Sequence, residues 1–192
     1  MSGRSLIFLT HAQVEIDPDT PVTDWRLSDQ GRRRHSRFAD DPTLAGVTAI
    51  YSSRERKAVD AAAIHGKVSG HIPRRVCALH ENDRSSTGYL PPDVFEATAD
   101  AFFAEPDKSV DGWERARDAQ IRVVTAIRTL IDLDETSGDL LVVAHGAVGA
   151  LLRCHLLGRA ISRDEDQPPV GGGCHFTADA AGLAAPTPWS VI

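Results

Sequence analysis

Four short apolar runs in this chain end in polar residues with reactive side chains. Ser5–Thr10 runs into His11, Val47–Ser52 into Ser53-Arg54-Glu55-Arg56-Lys57, Arg75–Leu79 into His80-Glu81, and Asp139–Ala144 into His145-Gly146. Strands of a parallel sheet carry their carboxyl ends on one edge, where open α/β folds bind ligands. Two imidazoles, a carboxylate and a group of cations are therefore expected in one crevice, although they lie far apart in the chain. Such a set suits phosphoryl transfer. Cations and a helix N-terminus hold phosphoryl oxygens, one imidazole attacks phosphorus in line, and a carboxylic acid protonates the departing oxygen. Other chemistries fit less well. A zinc hydrolase has His11, His145 and Glu81 to draw on, but no His-Glu-x-x-His or other close ligand pair occurs, and the cations oppose a metal. A serine hydrolase needs its nucleophile on a Gly-x-Ser-x-Gly elbow, and no glycine flanks Ser52 or Ser53. Cys174 and His175 are neighbours on a final short strand, Cys174–Ala178, and so point to opposite faces. His145-Gly146-Ala147-Val148-Gly149-Ala150 lacks the first glycine of a dinucleotide-binding turn.

The elements that must position these groups follow from periodicity. The four runs are apolar almost throughout, as strands covered on both faces are, and helical patterns lie between them. Ser28 is a candidate N-cap for a first helix. A second is expected from about Arg54 to Lys67 through Ala58, Ala61, Ala62 and Ile64. A third, from about Asp111 to Leu133, carries Trp113, Ala116, Gln120, Val123, Ile127, Leu130 and Ile131 on one stripe. A fourth, Ala147 to Leu157, is apolar nearly all round and stops at Gly158. The class expected is α/β, a three-layer sandwich with a mostly parallel central sheet flanked by helices. With 192 residues, 42% of them hydrophobic and 25% charged, the chain suits a single domain over 1–192. Residues 82–110 interrupt the alternation with Arg84-Ser85-Ser86-Thr87-Gly88, Pro91-Pro92 and a short pattern through Phe95, Ala99, Phe102 and Phe103. This segment reads as a lid-like insertion, or as a satellite helix on a sheet edge. The stretch from Asp166 to Gly173 reads as a loop and tight turn, or as three glycines that let backbone amides approach a phosphate.

Composition removes several classes of function. There are 21 Lys and Arg against 27 Asp and Glu, a net charge of -6, so no overall field draws in a polyanion and nucleic acid is not an expected partner. The run Arg32-Arg33-Arg34-His35-Ser36-Arg37 is read as the solvated face of the first helix. No apolar stretch approaches the ~18 residues of a membrane span, and Leu6–Leu9 is too short for a signal core, so neither membrane nor secretion is expected. Three cysteines, Cys77, Cys154 and Cys174, make no disulfide framework and suit a reducing, cytoplasmic setting.

In order and spacing the motifs resemble those of the histidine phosphatase superfamily, also called phosphoglycerate mutase-like. Leu6-Ile7-Phe8-Leu9-Thr10-His11-Ala12 is similar to its strand ending in Arg-His-Gly, and Leu27-Ser28-Asp29-Gln30-Gly31-Arg32 to its Leu-Thr/Ser-x-x-Gly-Arg. Tyr51-Ser52-Ser53-Arg54-Glu55-Arg56-Lys57-Ala58 resembles its Ser-Ser-x-x-x-Arg-Ala, Leu79-His80-Glu81 its Leu-x-Glu, and Val142-Val143-Ala144-His145-Gly146 its Val-x-His-Gly. The resemblance implies a phosphatase acting on phosphate monoesters, with His11 as the nucleophile that becomes phosphohistidine. It implies Glu81 as proton donor to the leaving group and His145 as a second imidazole on the phosphoryl oxygens. No metal or organic cofactor is implied, the substrate is a small phosphorylated molecule or a phosphoprotein, and mutase activity is not implied over phosphatase activity.

The chain departs from the family at three motif positions. Thr10 stands where the family has Arg, Ala12 where it usually has Gly, and Lys57 where it has its second phosphate-binding Arg. A bacterial branch is similar in its Thr-His start and its Lys. A forked guanidinium reaches two phosphoryl oxygens at once, whereas Thr offers one neutral donor and Lys a point charge. Losing one preorganised donor costs about a hundredfold to a thousandfold in rate. Thr10 and Lys57 are kept as phosphate-binding residues, and Arg54, Arg56 and Arg84 are candidates for the missing charge. Arg84 comes first, being three residues past Glu81 and followed by the hydroxyls of Ser85, Ser86 and Thr87. For Glu81, burial raises the pKa and cations lower it. The alternative function is a catalytically degenerate member that binds a phosphorylated metabolite or protein partner without turnover.

Overall fold

The computed structural model describes residues 3–192. Its elements are β1 (Ser5–Thr10), α1 (Asp29–Phe38), β2 (Val47–Ser52), α2 (Arg56–Ser69), β3 (Arg74–Arg75), α3 (Pro92–Ala104), α4 (Ala116–Leu133), β4 (Asp139–Ala144), α5 (Gly146–Leu156), β5 (Cys174–Asp179) and β6 (Ser190–Val191). The strands form one sheet in the order β3-β2-β4-β1-β5-β6. β3, β2, β4 and β1 are parallel, whereas β5 and β6 are antiparallel to their neighbours. Alternate residues of the central strands feed two cores. Leu6, Phe8, Leu140 and Val142 pack with Val123, Ile127, Val148 and Leu152 of α4 and α5. Ile7, Leu9, Leu141 and Val143 pack with Phe38, Ala58, Ala61 and Ala62 of α1 and α2. Both faces are covered, so the strands need apolar residues at every position, and the architecture is the three-layer α/β sandwich expected. Among the described residues no helix is long and apolar enough to cross a membrane.

Several boundaries differ from the sequence reading. The strand expected at Arg75–Leu79 is only the two-residue β3, followed by a 3-10 turn over Cys77–Leu79. Its apolar residues are buried by α4 rather than by sheet pairing: Leu79 lies in the core, and Arg122 of α4 donates to the carbonyls of Ala78 and His80 at 2.9 Å each. A short apolar run carries no period that separates these cases. α4 starts at Ala116 instead of Asp111, because Asp111 and Gly112 take left-handed φ values of 49° and 79° and turn the chain. The basic run is solvated only in part. Ser28 caps α1 as expected, and Arg33 and Arg37 are exposed, but Arg32 pairs with Asp60 at 2.7 Å. Arg34 bonds Gln13 and the carbonyl oxygens of Val170, Gly173 and Ile192. Within 82–110, α3 packs Phe102 and Phe103 against Trp113, Ala150 and Leu151, a small core of its own on α4 and α5.

Candidate active site

Parallel register sets the level of the site. Thr10 lies beside Ala144 and Ser52 beside Val143, and the ladder runs one step further, His11 N–H to Ala144 O and Ser53 N–H to Val143 O, both at 3.0 Å. The residues that follow therefore leave the sheet from one edge. His11 and His145 meet edge to face with ring centroids 5.2 Å apart. Glu81 arrives from the turn after Leu79, and Glu55 and Lys57 from the start of α2.

The backbone around His11 is held on each side. Gly173 N–H donates to His11 O at 2.8 Å, and Ala12 N–H donates to Nε2 of the buried His35 at 3.0 Å. That bond puts the proton of His35 on Nδ1, which donates to His65 Nε2 at 3.1 Å. His11 Nδ1 lies 2.9 Å from Ala12 O. A carbonyl only accepts, so Nδ1 carries the proton and Nε2 the free lone pair. Burial, helped by His145 and Lys57, lowers the His11 pKa to about 3, so the ring is neutral at ordinary pH.

Glu81 caps the N-terminus of α5, accepting from Ala147 N–H at 3.2 Å and Val148 N–H at 3.1 Å. Those amides favour a carboxylate, yet burial and then the neighbouring Glu55 outweigh them, and the pKa of Glu81 is raised. Glu81 is thus biased toward the protonated acid, with two donors ready for the anion it leaves. Glu55 is a buried hub. Its Oε2 accepts from Lys57 Nζ at 2.6 Å, its Oε1 accepts from Glu81 N–H at 2.8 Å, and the same Oε1 lies 3.4 Å from His145 Nε2. His145 is fully buried, neither ring nitrogen has a hydrogen-bond partner among the described residues, and burial with the Lys57 charge holds its pKa well below the usual value.

Two cavities meet at the Glu81–Arg84 segment. One, of about 450 Å³, is lined by His11, Glu81, Asn82 and Arg84, by Phe95, Ala99 and Phe103 on the α3 side, and by Gln167, Pro168, Gly171 and Gly172 opposite. The other, of about 410 Å³, shares Glu81, Asn82 and Arg84 and extends to Val22, Glu55 and His80. Among the described residues no three His, Cys, Asp or Glu side chains gather as a metal site.

The structure brings His11, Glu81, His145, Lys57 and Arg84 together, but not Thr10 or Arg54. The Thr10 hydroxyl is fully buried, donates to Gln167 Oε1 at 2.7 Å and accepts from Cys174 N–H at 3.0 Å. It faces β5 and, like the buried His145 and Lys57, lines neither cavity. Arg54 is exposed and also lines neither. Arg56 pairs with Asp60 at 2.8 Å. Lys57 is buried, with Nζ already on Glu55 and on Val22 O at 2.8 Å. The half-buried Arg84 stacks over Phe95, 4.8 Å from the ring centre, and its guanidinium makes no hydrogen bond among the described residues. Of the hydroxyls after it, Ser86 bonds Asp111 O and Thr87 accepts from Trp113 Nε1, so both support the loop rather than an anion. Sequence reasoning missed Glu55, Asn82, Gln167 and His35. Glu55 sat in plain view between two arginines, and the signal that could have singled it out is a lone acid among the cations after β2.

The chain matches the description of the histidine phosphatase superfamily (branch 1) over residues 6–170 and belongs to that superfamily. No curated protein matches it. Solved structures of like fold include a mycobacterial glucosyl-3-phosphoglycerate phosphatase with inorganic phosphate, 23% identical with a TM-score of 0.73 over 91% of this chain and 88% of that one. A protein described as mycobacterial hydrolase 1 is 20% identical with a TM-score of 0.76, covering 98% of this chain and 97% of that one. YhfR of Bacillus stearothermophilus is 19% identical with a TM-score of 0.73, covering 91% and 90%. At these identities the likeness is one of fold.

Proposed function

We propose that the protein is a phosphatase that hydrolyses phosphate monoesters through a phosphohistidine on His11. The observation that carries this is one cavity lined by a neutral imidazole with its lone pair on Nε2 and by a carboxyl group biased toward its protonated form. In the first step His11 Nε2 attacks phosphorus. The P–N bond forms as the bond to the ester oxygen breaks, and Glu81 gives its proton to that oxygen. The carboxylate left behind keeps the Ala147 and Val148 amides. In the second step it takes a proton from water as the water oxygen attacks phosphorus, the P–N bond breaks, and inorganic phosphate leaves. His145 as imidazolium donates one N–H to a phosphoryl oxygen, with the Glu55 carboxylate, 3.4 Å from Nε2, stabilising the charge. Arg84 and the remaining Lys57 N–H supply charge. The superfamily and the relatives described as phosphatases support the activity, and the three free thiols support a cytoplasmic setting. Segment 82–110 acts as the lid-like wall of this cavity, on a small molecule or a phosphoprotein.

A second reading, binding without turnover, draws on Thr10 and Lys57, whose donors are held by protein groups. Leaving-group dependence tests the first. Through the first irreversible step, Glu81→Gln should lose far more kcat/KM on alkyl phosphates than on nitrophenyl phosphate, whose leaving group hardly needs a proton. Equal losses on both assign Glu81 to structure, and a wild type inert to both favours the binding-only member.

A further inference from the structure

We propose that Arg122 is the positioning residue of the general acid: its guanidinium, carried on α4, holds the irregular turn that bears Glu81 and so sets where the acid meets the ester oxygen. This rests on the phosphatase reading above and adds to it a residue that lines neither cavity.

The groups assigned to the chemistry are anchored in different ways. His11 leaves β1 with the sheet ladder still bonding its N–H, and His145 sits directly between β4 and α5. Glu81 has no such support: β3 ends at Arg75, the 3-10 turn ends at Leu79, and residues 81–84 belong to no helix or strand. Arg122 takes the place of sheet pairing there. A guanidinium has five N–H donors, and all five of Arg122 find acceptors. Nη1 donates to the carbonyls of Ala78 and His80 at 2.9 Å each, and Nη2 to the carbonyl of Glu81 at 3.2 Å. The remaining two go to Glu114 as a bidentate pair, Nε to Oε1 at 2.9 Å and Nη2 to Oε2 at 2.7 Å.

Glu114 closes the clamp. Its Oε2 also accepts from Asp83 N–H at 3.1 Å, and its own N–H donates to Asp83 O at 2.7 Å. The backbone is thus tied on both sides of Glu81, whose N–H is held in turn by Glu55 Oε1 at 2.8 Å. The Arg122 and Glu114 side chains are each only 17% exposed, and Val123 and Ile127 of the same helix lie in the core, so the fork stands on a fixed element. From that backbone the Glu81 carboxyl reaches the Ala147 and Val148 amides, and a shift of the turn would move the acid relative to His11. Lysine at position 122 would keep the charge but not the planar fork that serves five acceptors.

Misplacing a reacting group by about 1 Å costs ~10²-fold, and only an ester whose leaving group needs a proton reports on the acid. Arg122→Lys should therefore lower kcat/KM by ~10²-fold on propyl phosphate and by less than about threefold on nitrophenyl phosphate. In a Glu81→Gln background the same change should cost less than about threefold on either ester, because the group it positions has gone. Glu114→Gln, which keeps one acceptor for the fork, should show the same ester-selective loss at ~10-fold, and it decides the outcome where Arg122→Lys does not fold. Where Glu81→Gln alone is ester-selective, three results overturn this proposal and leave the phosphatase reading in place: equal losses on the two esters, no loss on either, or losses that add to those of Glu81→Gln. A wild type inert to both esters overturns that reading and this proposal with it.

Discussion

In the phosphatase proposed above, His11, Glu81 and Arg84 are assigned the parts of nucleophile, acid and charge, and the assignment depends on what each touches. Ala12 O fixes the His11 tautomer, burial and Glu55 raise the Glu81 pKa, and Arg84 pulls the other way as a cation that lowers it. With Thr10 turned to Gln167 and Lys57 held by Glu55, Arg84, stacked on Phe95, offers a guanidinium that makes no hydrogen bond among the described residues. Arg84→Ala should lower kcat/KM by ~10²-fold, about 2.7 kcal/mol of transition-state stabilisation. It should also move the alkaline limb of the pH profile upward, since removing the cation lets Glu81 keep its proton to higher pH. A rate loss without that movement would place Arg84 in the loop's packing instead. His11 and His145 were legible because each directly follows a strand, and Glu81 because it ends an apolar run, although that run is a 3-10 turn rather than a strand. Glu55, Asn82 and Gln167 were not, because nothing in their spacing says which contacts burial will force. Thr10 shows the converse: its motif position suggested an anion ligand, and only the antiparallel neighbour β5 reveals where its hydroxyl goes.

The loop between the 3-10 turn Arg163–Glu165 and β5 shows how an element's shape reaches the site. Gly171, Gly172 and Gly173 all have positive φ, and a Cβ on Gly172 would overlap the carbonyl oxygen of His11. The tight-turn reading of these residues is what the backbone adopts, and it serves the nucleophile by letting Gly173 N–H reach that same carbonyl at 2.8 Å. Gly172→Ala should lower kcat by ~10²-fold, because a displacement on the order of 1 Å at a reacting group has that effect, and should cost about 1–3 kcal/mol of stability. Gly70→Ala is the matched comparison. It has a similar φ of 77° at the end of α2 but nothing within 4 Å of a new Cβ, so it should lose stability with kcat unchanged. Equal kcat in the two variants would show that the loop does not position His11.

At the scale of the whole molecule, a net charge of -6 gives no overall field toward an anion, so in the proposed phosphatase attraction must come from a few inward cations and amides. Two-sided burial made the central strands readable as continuous apolar runs, and the helix stripes gave the outer layers. The strand read at Arg75–Leu79 was too long because its apolar residues Val76, Ala78 and Leu79 pack in the core by α4 without pairing in the sheet. The register of β1 with β4 and β2 with β4 then brings three distant strand ends to one edge, and the central claim is that His11 becomes phosphorylated there. Glu81→Gln mixed with nitrophenyl phosphate should trap that state, since this leaving group needs no acid while hydrolysis lacks its base. Intact mass after a neutral quench should rise by about 80 Da, one phosphoryl group, on His11, with or without a chelator. The additional His11→Ala change should abolish the adduct. An unmodified chain, or activity that survives His11→Ala in the wild-type background, would contradict a phosphohistidine enzyme.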